Sequence, residues 1–317
     1  MRTLEDGGLL SRLVHVAAQP ADMTLLTRVH TAAYVRELEA LANRGGGQLD
    51  ADTYVGPRSF AAARLAAGAA AELVRAVLTG RARNGVALVR PPGHHALAGR
   101  GKGFCLLNNV AVAAQTALDE YGLQRVLIVD WDVHHGDGTE EIFYASPQAL
   151  FFSTHQYPYY PGTGHWRQIG AGAGRGYTVN APLASGVGDA GFAQVYAEVL
   201  TPLAERFQPE LILVSAGYDA HWNDPLAGLQ LSLAGYWHLA QTVVALADRL
   251  CAGRLVVTLE GGYNLTVLTH GIADLCRALL GDAQRGPDPL GPCRWPERPL
   301  GDALHAIQQM HGLEVGD

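Results

Sequence analysis

A series of short apolar runs, separated by helical stretches, most constrains the fold. The runs are GVALVR (85–90), RVLIVDWD (125–132), ALFFSTH (149–155), GYTVNAPL (176–183), LILVSAG (211–217) and RLVVTLEGG (254–262). Continuous apolar strands of this kind are buried on both faces, the pattern of a parallel sheet between helices. Helical patterns fill the gaps at 108–121, 189–207 and 232–251, and two alanine-rich ones, 31–42 and 59–78, precede the first run. Gly45, Gly46 and Gly47 break the chain between those two. The expectation is one α/β domain over residues 1–317, a parallel sheet with helices on both faces. No repeat or linker divides it. The Pro/Gly-rich stretch from Gly281 to Pro299 marks 281–317 as a surface tail.

In open α/β sheets the ligand site lies beyond the carboxyl ends of the strands. Those ends read Arg90-Pro91-Pro92-Gly93-His94-His95, Asp130-Trp131-Asp132-Val133-His134-His135, Ser153-Thr154-His155, Ser215-Ala216-Gly217-Tyr218-Asp219 and Glu260-Gly261-Gly262-Tyr263. Of 13 histidines, His94, His95, His134, His135, His155 and His165 fall in one quarter of the chain. The chemistry therefore converges on one sheet edge. A net charge of −7 disfavours a general binder of nucleic acid or anionic membranes. Cys105, Cys251, Cys276 and Cys293 form no C-x-x-C pair and read as reduced, buried thiols. The N-terminus carries Glu5 and Asp6 where a secretory signal needs a basic start, and no run reaches the ~20 apolar residues of a membrane helix. A cytoplasmic protein is expected.

Asp130, Asp132 and His134 alternate beyond a strand, so while the chain stays extended they point to one side. A carboxylate and an imidazole two residues apart can share one cation, and Asp219 can add a third ligand. Three protein ligands with an open position describe a catalytic zinc site. A single Asp after a strand more often caps a turn; the density of D-W-D-V-H-H-G-D-G-T favours the metal. In Pro91-Pro92-Gly93-His94-His95 the stiff prolines and the glycine fix an irregular loop, and histidine suits proton transfer near neutral pH. A lone His is usually a core or turn residue. A His base generally has an orienting carboxylate, and Asp130 and Asp137 are both available. Tyr263 follows two glycines, Gly261 and Gly262, that let backbone approach a ligand closely; its phenol can donate to a developing oxyanion. Alone it would read as an ordinary half-buried tyrosine.

Taken together, RPPGHHA (90–96), GFCLLNNVAVAA (103–114), VLIVDWDVHHGDGTEEIFY (126–144), FFSTHQYPYYPGTG (151–164), SAGYDAHWNDPLAGLQLS (215–232) and TLEGGYN (258–264) resemble the histone deacetylase / acetylpolyamine amidohydrolase superfamily, class II type. The resemblance implies the arginase–deacetylase fold, with Asp132, His134 and Asp219 as zinc ligands. It makes His95 the general base and acid and His94 the second histidine. Asp130 is then paired with His94, and Asp137 with His95. Tyr263 becomes the transition-state tyrosine. It also implies structural potassium ions: an inner site at Asp130, Asp132, His134, Ser153 and Thr154, partly through backbone carbonyls, and an outer one at Phe143 and Tyr177. Gly103, Phe104, Tyr160, Leu226 and Gly261 resemble the lining of an acyl-lysine tunnel. His165 and His221 are expected at its rim. The O/N ligand set admits Fe²⁺ or Co²⁺ as well as zinc.

These features imply hydrolysis of an N-acetyl-lysine amide, or of a related acylated amine, to acetate and free amine. An acetylpolyamine amidohydrolase is the alternative. That branch carries an acidic gatekeeper, whereas Leu226 follows Asp224-Pro225 here and favours acyl-lysine. One lysine, Lys102, against many arginines looks bacterial, so a histone is not the expected partner. A homo-oligomer is allowed. An arginase-like binuclear hydrolase would need D-A-H-x-D, but Asp219-Ala220-His221 continues Trp222-Asn223. A non-catalytic acyl-amine binder should have lost Tyr263 or a histidine. Family members begin with a strand and a His-Pro…Arg-Leu stretch before the part resembling 9–30, and that element is expected to be missing, with consequences for the site rim.

Overall fold

The structure, a computed structural model, describes residues 1–313; residues 314–317, the end of the expected tail, lie outside the described residues. Six parallel strands form its centre: β1 (Asn84–Ala87), β2 (Val126–Asp130), β3 (Ala149–Gln156), β4 (Thr178–Leu183), β5 (Leu211–Ala216) and β6 (Leu255–Leu259). Their order is β1-β6-β5-β2-β3-β4. Each apolar run of the sequence is one strand. Within β2, Leu127 and Val129 pack into one core with Ile212, Val214 and Val257. Val126 and Ile128 pack into the other with Leu211, Leu213 and Val256. Period-two alternation between two apolar cores explains why these strands carry no polar face.

The helices Ser59–Leu78 and Asn109–Tyr121 cover one face; Leu233–Cys251 and Leu265–Leu279 cover the other. Their starts are written locally. The side chains of Thr31, Asn108, Ser232 and Asn264 accept hydrogen bonds from backbone N–H groups of the first turn of the helices they precede. The 189–207 stretch is one helical run widened by a π-turn at Tyr196–Leu200. Pro202 cannot donate a backbone bond there, and Thr201 Oγ1 donates to the Tyr196 carbonyl at 2.9 Å instead.

Several elements lie outside the expected set, the helix Leu265–Leu279 among them. A short antiparallel pair, Gly47–Gln48 with Tyr54–Val55, follows the three glycines. The tail is not all surface: Ala303–His311 is a helix whose Leu304 and Ile307 enter the core, with Arg206 Nη1 donating to the His311 carbonyl at 2.8 Å. Cys105, Cys251 and Cys276 are buried free thiols, while Cys293 is partly exposed. No helix among the described residues is long and apolar enough to cross a membrane.

Register levels the carboxyl ends of the strands. Asp130 lies opposite Ser153 on one side and Ser215 on the other, and Ser215 lies opposite Thr258. The polar strand ends therefore meet along one edge, as the sequence pattern requires.

Candidate active site

Asp132, His134 and Asp219 converge just past β2 and β5, each offering a ligand atom within 4.8 Å of the others. His134 Nδ1 lies 3.1 Å from Asp132 Oδ1 and 3.4 Å from Asp219 Oδ2. The other oxygens are pinned. Gly261 N–H donates to Asp132 Oδ2 at 2.8 Å and Val133 N–H to Asp219 Oδ1 at 3.0 Å. Asp219 Oδ2 is buried and makes no hydrogen bond. Two desolvated carboxylates and one such orphaned oxygen form a site that wants a cation. Burial, and then the Asp132 charge, push the Asp219 carboxyl up to about 6. Burial opposes a charged ring at His134, but the hydrogen bond to Asp132 and the nearby Asp219 carboxylate raise it to about 10. A divalent ion would take the place of that proton, and the donor set fits zinc, Fe²⁺ or Co²⁺. Gly261 is required by contact: a Cβ there would sit 2.1 Å from Asp219 Oδ2 and 2.6 Å from Asp132 Oδ2.

The Pro91–His95 loop lies beside this cluster. His94 Nδ1 donates to Asp130 Oδ2 at 3.0 Å and His95 Nδ1 to Asp137 Oδ1 at 2.8 Å, with the two rings 4.1 Å apart. Of the two carboxylates the sequence left available, each histidine thus has its own. Burial disfavours a charged His94, but the charges of Asp130, Asp132 and Glu260 raise it well above the usual histidine range. Burial, and then the His94 charge, lower His95 to about 3. Of the two rings, a proton is thus favoured on His94 and disfavoured on His95. Glu260, given no role in the sequence reading, fixes the loop. Its Oε2 accepts from Gly93 N–H at 2.6 Å and His94 N–H at 3.2 Å, and its Oε1 accepts from Ser215 Oγ at 3.0 Å.

A cavity of about 230 Å³ opens above these groups. Gly103, Phe104, Tyr160, Leu226, Gly261 and Tyr263 line it as expected, together with Asp52, Pro92 and Tyr159, which sequence reasoning missed. At Gly103 φ is +55°, and a Cβ would meet His95 Cδ2 at 2.5 Å. Tyr263 is set by Asp224, whose Oδ2 accepts from the N–H groups of Tyr263 at 2.8 Å and Asn264 at 3.1 Å. Burial, with the charges of Asp132 and Asp219, pushes the Tyr263 phenol up, so it stays a donor. The Tyr159 hydroxyl donates to the Leu226 carbonyl, and its ring stacks 5.8 Å from His134.

Other expected residues lie further out. Asp130, Ser153 and Thr154 are buried at the sheet edge. Phe143 is in the apolar core, and Tyr177 packs on Phe207 at 5.8 Å. The carbonyls of both already accept from Ser146 and Phe151 N–H, each at 2.9 Å. His135 and His155 brace the tyrosine loop through Thr163 Oγ1 and the Gly164 carbonyl, both at 2.8 Å. His221 is not at the rim. It is fully buried, because a bridge to Leu231 turns it inward. His165 packs at a tilt on Trp166 with ring centres 4.9 Å apart, outside the cavity lining.

The family model described as histone deacetylase domain matches residues 1–279. A protein of Archaeoglobus fulgidus named probable deacetylase is 45% identical over 267 residues, spanning 84% of this chain and 74% of that protein. The human protein named polyamine deacetylase HDAC10 is 41% identical over 325 residues, 98% of this chain and 47% of that protein. The crystal structure of the HDA15 HD domain has a TM-score of 0.88 at 38% identity, covering 98% of this chain and 84% of that one.

Proposed function

The chain belongs to the histone deacetylase domain family and is a hydrolase, and from that premise we propose that it removes the acetyl group of N-acetyl-lysine or a related acylated amine, with one zinc ion at Asp132, His134 and Asp219. The observation that carries this reading is the unpartnered, buried Asp219 Oδ2 between two further ligands, directly beside two histidine–carboxylate pairs. When bound, zinc, or Fe²⁺ or Co²⁺ in its place, polarises the amide carbonyl and acidifies water.

The chain's own residues do the rest. His95, neutral and held through Nδ1 by Asp137, offers Nε2 to the proton of the attacking water. Asp137 fixes that tautomer and balances the charge that His95 gains. His94, whose positive charge Asp130 favours, stands beside the ligand Asp132 and can supply that charge to the site. His95 or His94 returns a proton to the leaving amine, so the products are acetate and free amine. Tyr263 donates its hydroxyl to the oxyanion as it forms. Inner potassium binding is assigned to oxygens of Asp130, Asp132, His134, Ser153 and Thr154, supported by the burial of Asp130, Asp132, Ser153 and Thr154 where two neighbouring strands end. An outer ion at Phe143 and Tyr177 would use the second lone pairs of their carbonyls. Exchange of potassium for a larger organic cation should lower the thermal midpoint if these sites are filled.

Leu226, uncharged and lining the mouth, supports acyl-lysine. Asp52, also on the lining, favours the second reading, a cationic acetylated polyamine. The test is a substrate panel with metal-depleted and zinc-loaded enzyme. An N-acetyl-lysine peptide should turn over faster than acetylputrescine, with one metal per chain; the reverse ranking selects the polyamine reading. A zinc-loaded protein that hydrolyses neither sinks both.

A further inference from the structure

Lys102 is the chain's only lysine; every other residue of fixed positive charge is an arginine. It is not on the open surface. Its side chain is 13% exposed, and Nζ lies 2.6 Å from Asp137 Oδ2. The same carboxylate gives its other oxygen, Oδ1, to His95 Nδ1 at 2.8 Å. The two oxygens are therefore divided between one cation and one imidazole. Lys102 also reaches the other neighbour of that imidazole: Nζ lies 5.5 Å from the centre of the Tyr160 ring, and that ring meets His95 edge-on at 5.2 Å. Lys102, Asp137, His95 and Tyr160 close a circuit around the proposed base.

The lysine is itself fixed. Its N–H donates to the Cys105 carbonyl at 3.0 Å, and the Cys105 N–H returns a bond to the Lys102 carbonyl at 2.9 Å. Gly103 and Phe104 between them take φ of +55° and +66°. This tight turn cannot slide without moving Phe104, a cavity wall.

We infer that Lys102 is a positioning residue for the hydrolysis: by gripping Asp137 Oδ2 it turns Oδ1 toward His95 and holds the base in register. The inference rests on the reading of His95 as the base. Without Lys102, Oδ2 has no other partner among the described residues, and a carboxylate only 10% exposed must rotate toward water or share its hydrogen bond less directionally. The ammonium is a compact point charge. A guanidinium needs a planar fork and would restore the charge with poorer geometry.

The experiment compares Lys102→Met, Lys102→Gln and Lys102→Arg, each alone and combined with Asp137→Asn, using zinc-loaded enzyme and an N-acetyl-lysine substrate. In the native background Met and Gln should lower kcat about ten- to hundredfold, the usual cost of losing an outer partner, with KM within about threefold. Arg should recover part of that loss. In the Asp137→Asn background the same changes should cost almost nothing further, since the residue acts only through Asp137. Gln, one carbon shorter and uncharged but polar, serves if Met disturbs folding. A full additional loss in the Asp137→Asn background, or a change in KM alone, would overturn the inference and make Lys102 a wall or substrate contact. Native kcat in Lys102→Met overturns it too. Native enzyme that hydrolyses no acyl amide sinks the functional reading instead, and is seen before any variant is made.

Discussion

Replacing Gly261 by alanine tests the metal site without touching a ligand. The φ of Gly261 lies outside the left-handed region, so alanine carries no backbone strain there. The whole effect comes from the added methyl. It would stand 2.1 Å from Asp219 Oδ2 and 2.6 Å from Asp132 Oδ2. An unstrained carbon–oxygen contact is about 3.3 Å or longer. Both carboxylates must therefore retreat, by about 1 Å at Asp219 and somewhat less at Asp132, or the backbone must move and stretch the 2.8 Å bond from Gly261 N–H to Asp132. Metal–ligand distances tolerate only about 0.2 Å. A displacement several times that size should weaken zinc binding by about a hundredfold or more, at or beyond the upper end for outer-sphere changes. Competition against a chromophoric chelator measures the affinity. Circular dichroism and the thermal midpoint of the metal-free protein check the fold. Catalysis at saturating zinc should also fall, because a recovered ion would sit off its intended position. Native zinc affinity in a folded Gly261→Ala protein would show that Asp132 and Asp219 do not jointly hold the ion, and the ligand assignment would fail with it.

Tyr263→Phe should lower kcat by about 10²- to 10³-fold with zinc content unchanged, the loss expected for one oxyanion donor; turnover near the native value removes that role. Leu226→Glu should raise kcat/KM for acetylputrescine relative to an acetyl-lysine peptide, and an unchanged ratio would mean that the mouth does not read charge at this position. The pH dependence of stability should carry the imprint of His30. Burial lowers this ring to about 4, below its ordinary value near 6.5, and Asn108 N–H donates to Nε2 at 2.9 Å. Between those two pH values the unfolded chain binds the extra proton, so the contribution is complete above about 6.5 and is lost as pH falls toward 4. It amounts to about 3 kcal/mol. His30→Gln, which cannot titrate, should flatten the denaturant midpoint over that window; an unaltered slope would refute the assignment.

The sheet was legible because its strands are buried twice over. Val126 to Asp130 has no solvent face, so the run is apolar without a gap, and four other strands repeat the pattern, the edge strand β1 being only partly buried. Helix starts were legible where a cap lies next to the helix in sequence, as at Asn108 and Ser232. The Ala303–His311 helix escaped because its buried pair, Leu304 and Ile307, is too short a stripe to stand out after a Pro/Gly-rich stretch. The two-residue strands near Gly47 are shorter than any period can reveal.

The site divides along the same line, between what is local and what is brought together by folding. Asp130, Asp132 and His134 are spaced by the chain itself, so alternation alone points to a shared cation. His221 shows where that logic stops. It too stands two residues beyond an expected ligand, yet the bridge to Leu231 takes it into the core, so spacing counts only while the chain stays extended. The groups that set the geometry of the histidines come from far away. Glu260 reaches Gly93 across 167 positions and Lys102 reaches Asp137 across 35, and no local pattern encodes either pair. Lys102 nevertheless left one trace: in a chain that otherwise uses arginine, a single lysine next to the cavity marks a place where a compact charge was kept. That trace and the 2.6 Å contact lead to the same measurement, the fate of kcat when Lys102 and Asp137 are removed singly and together.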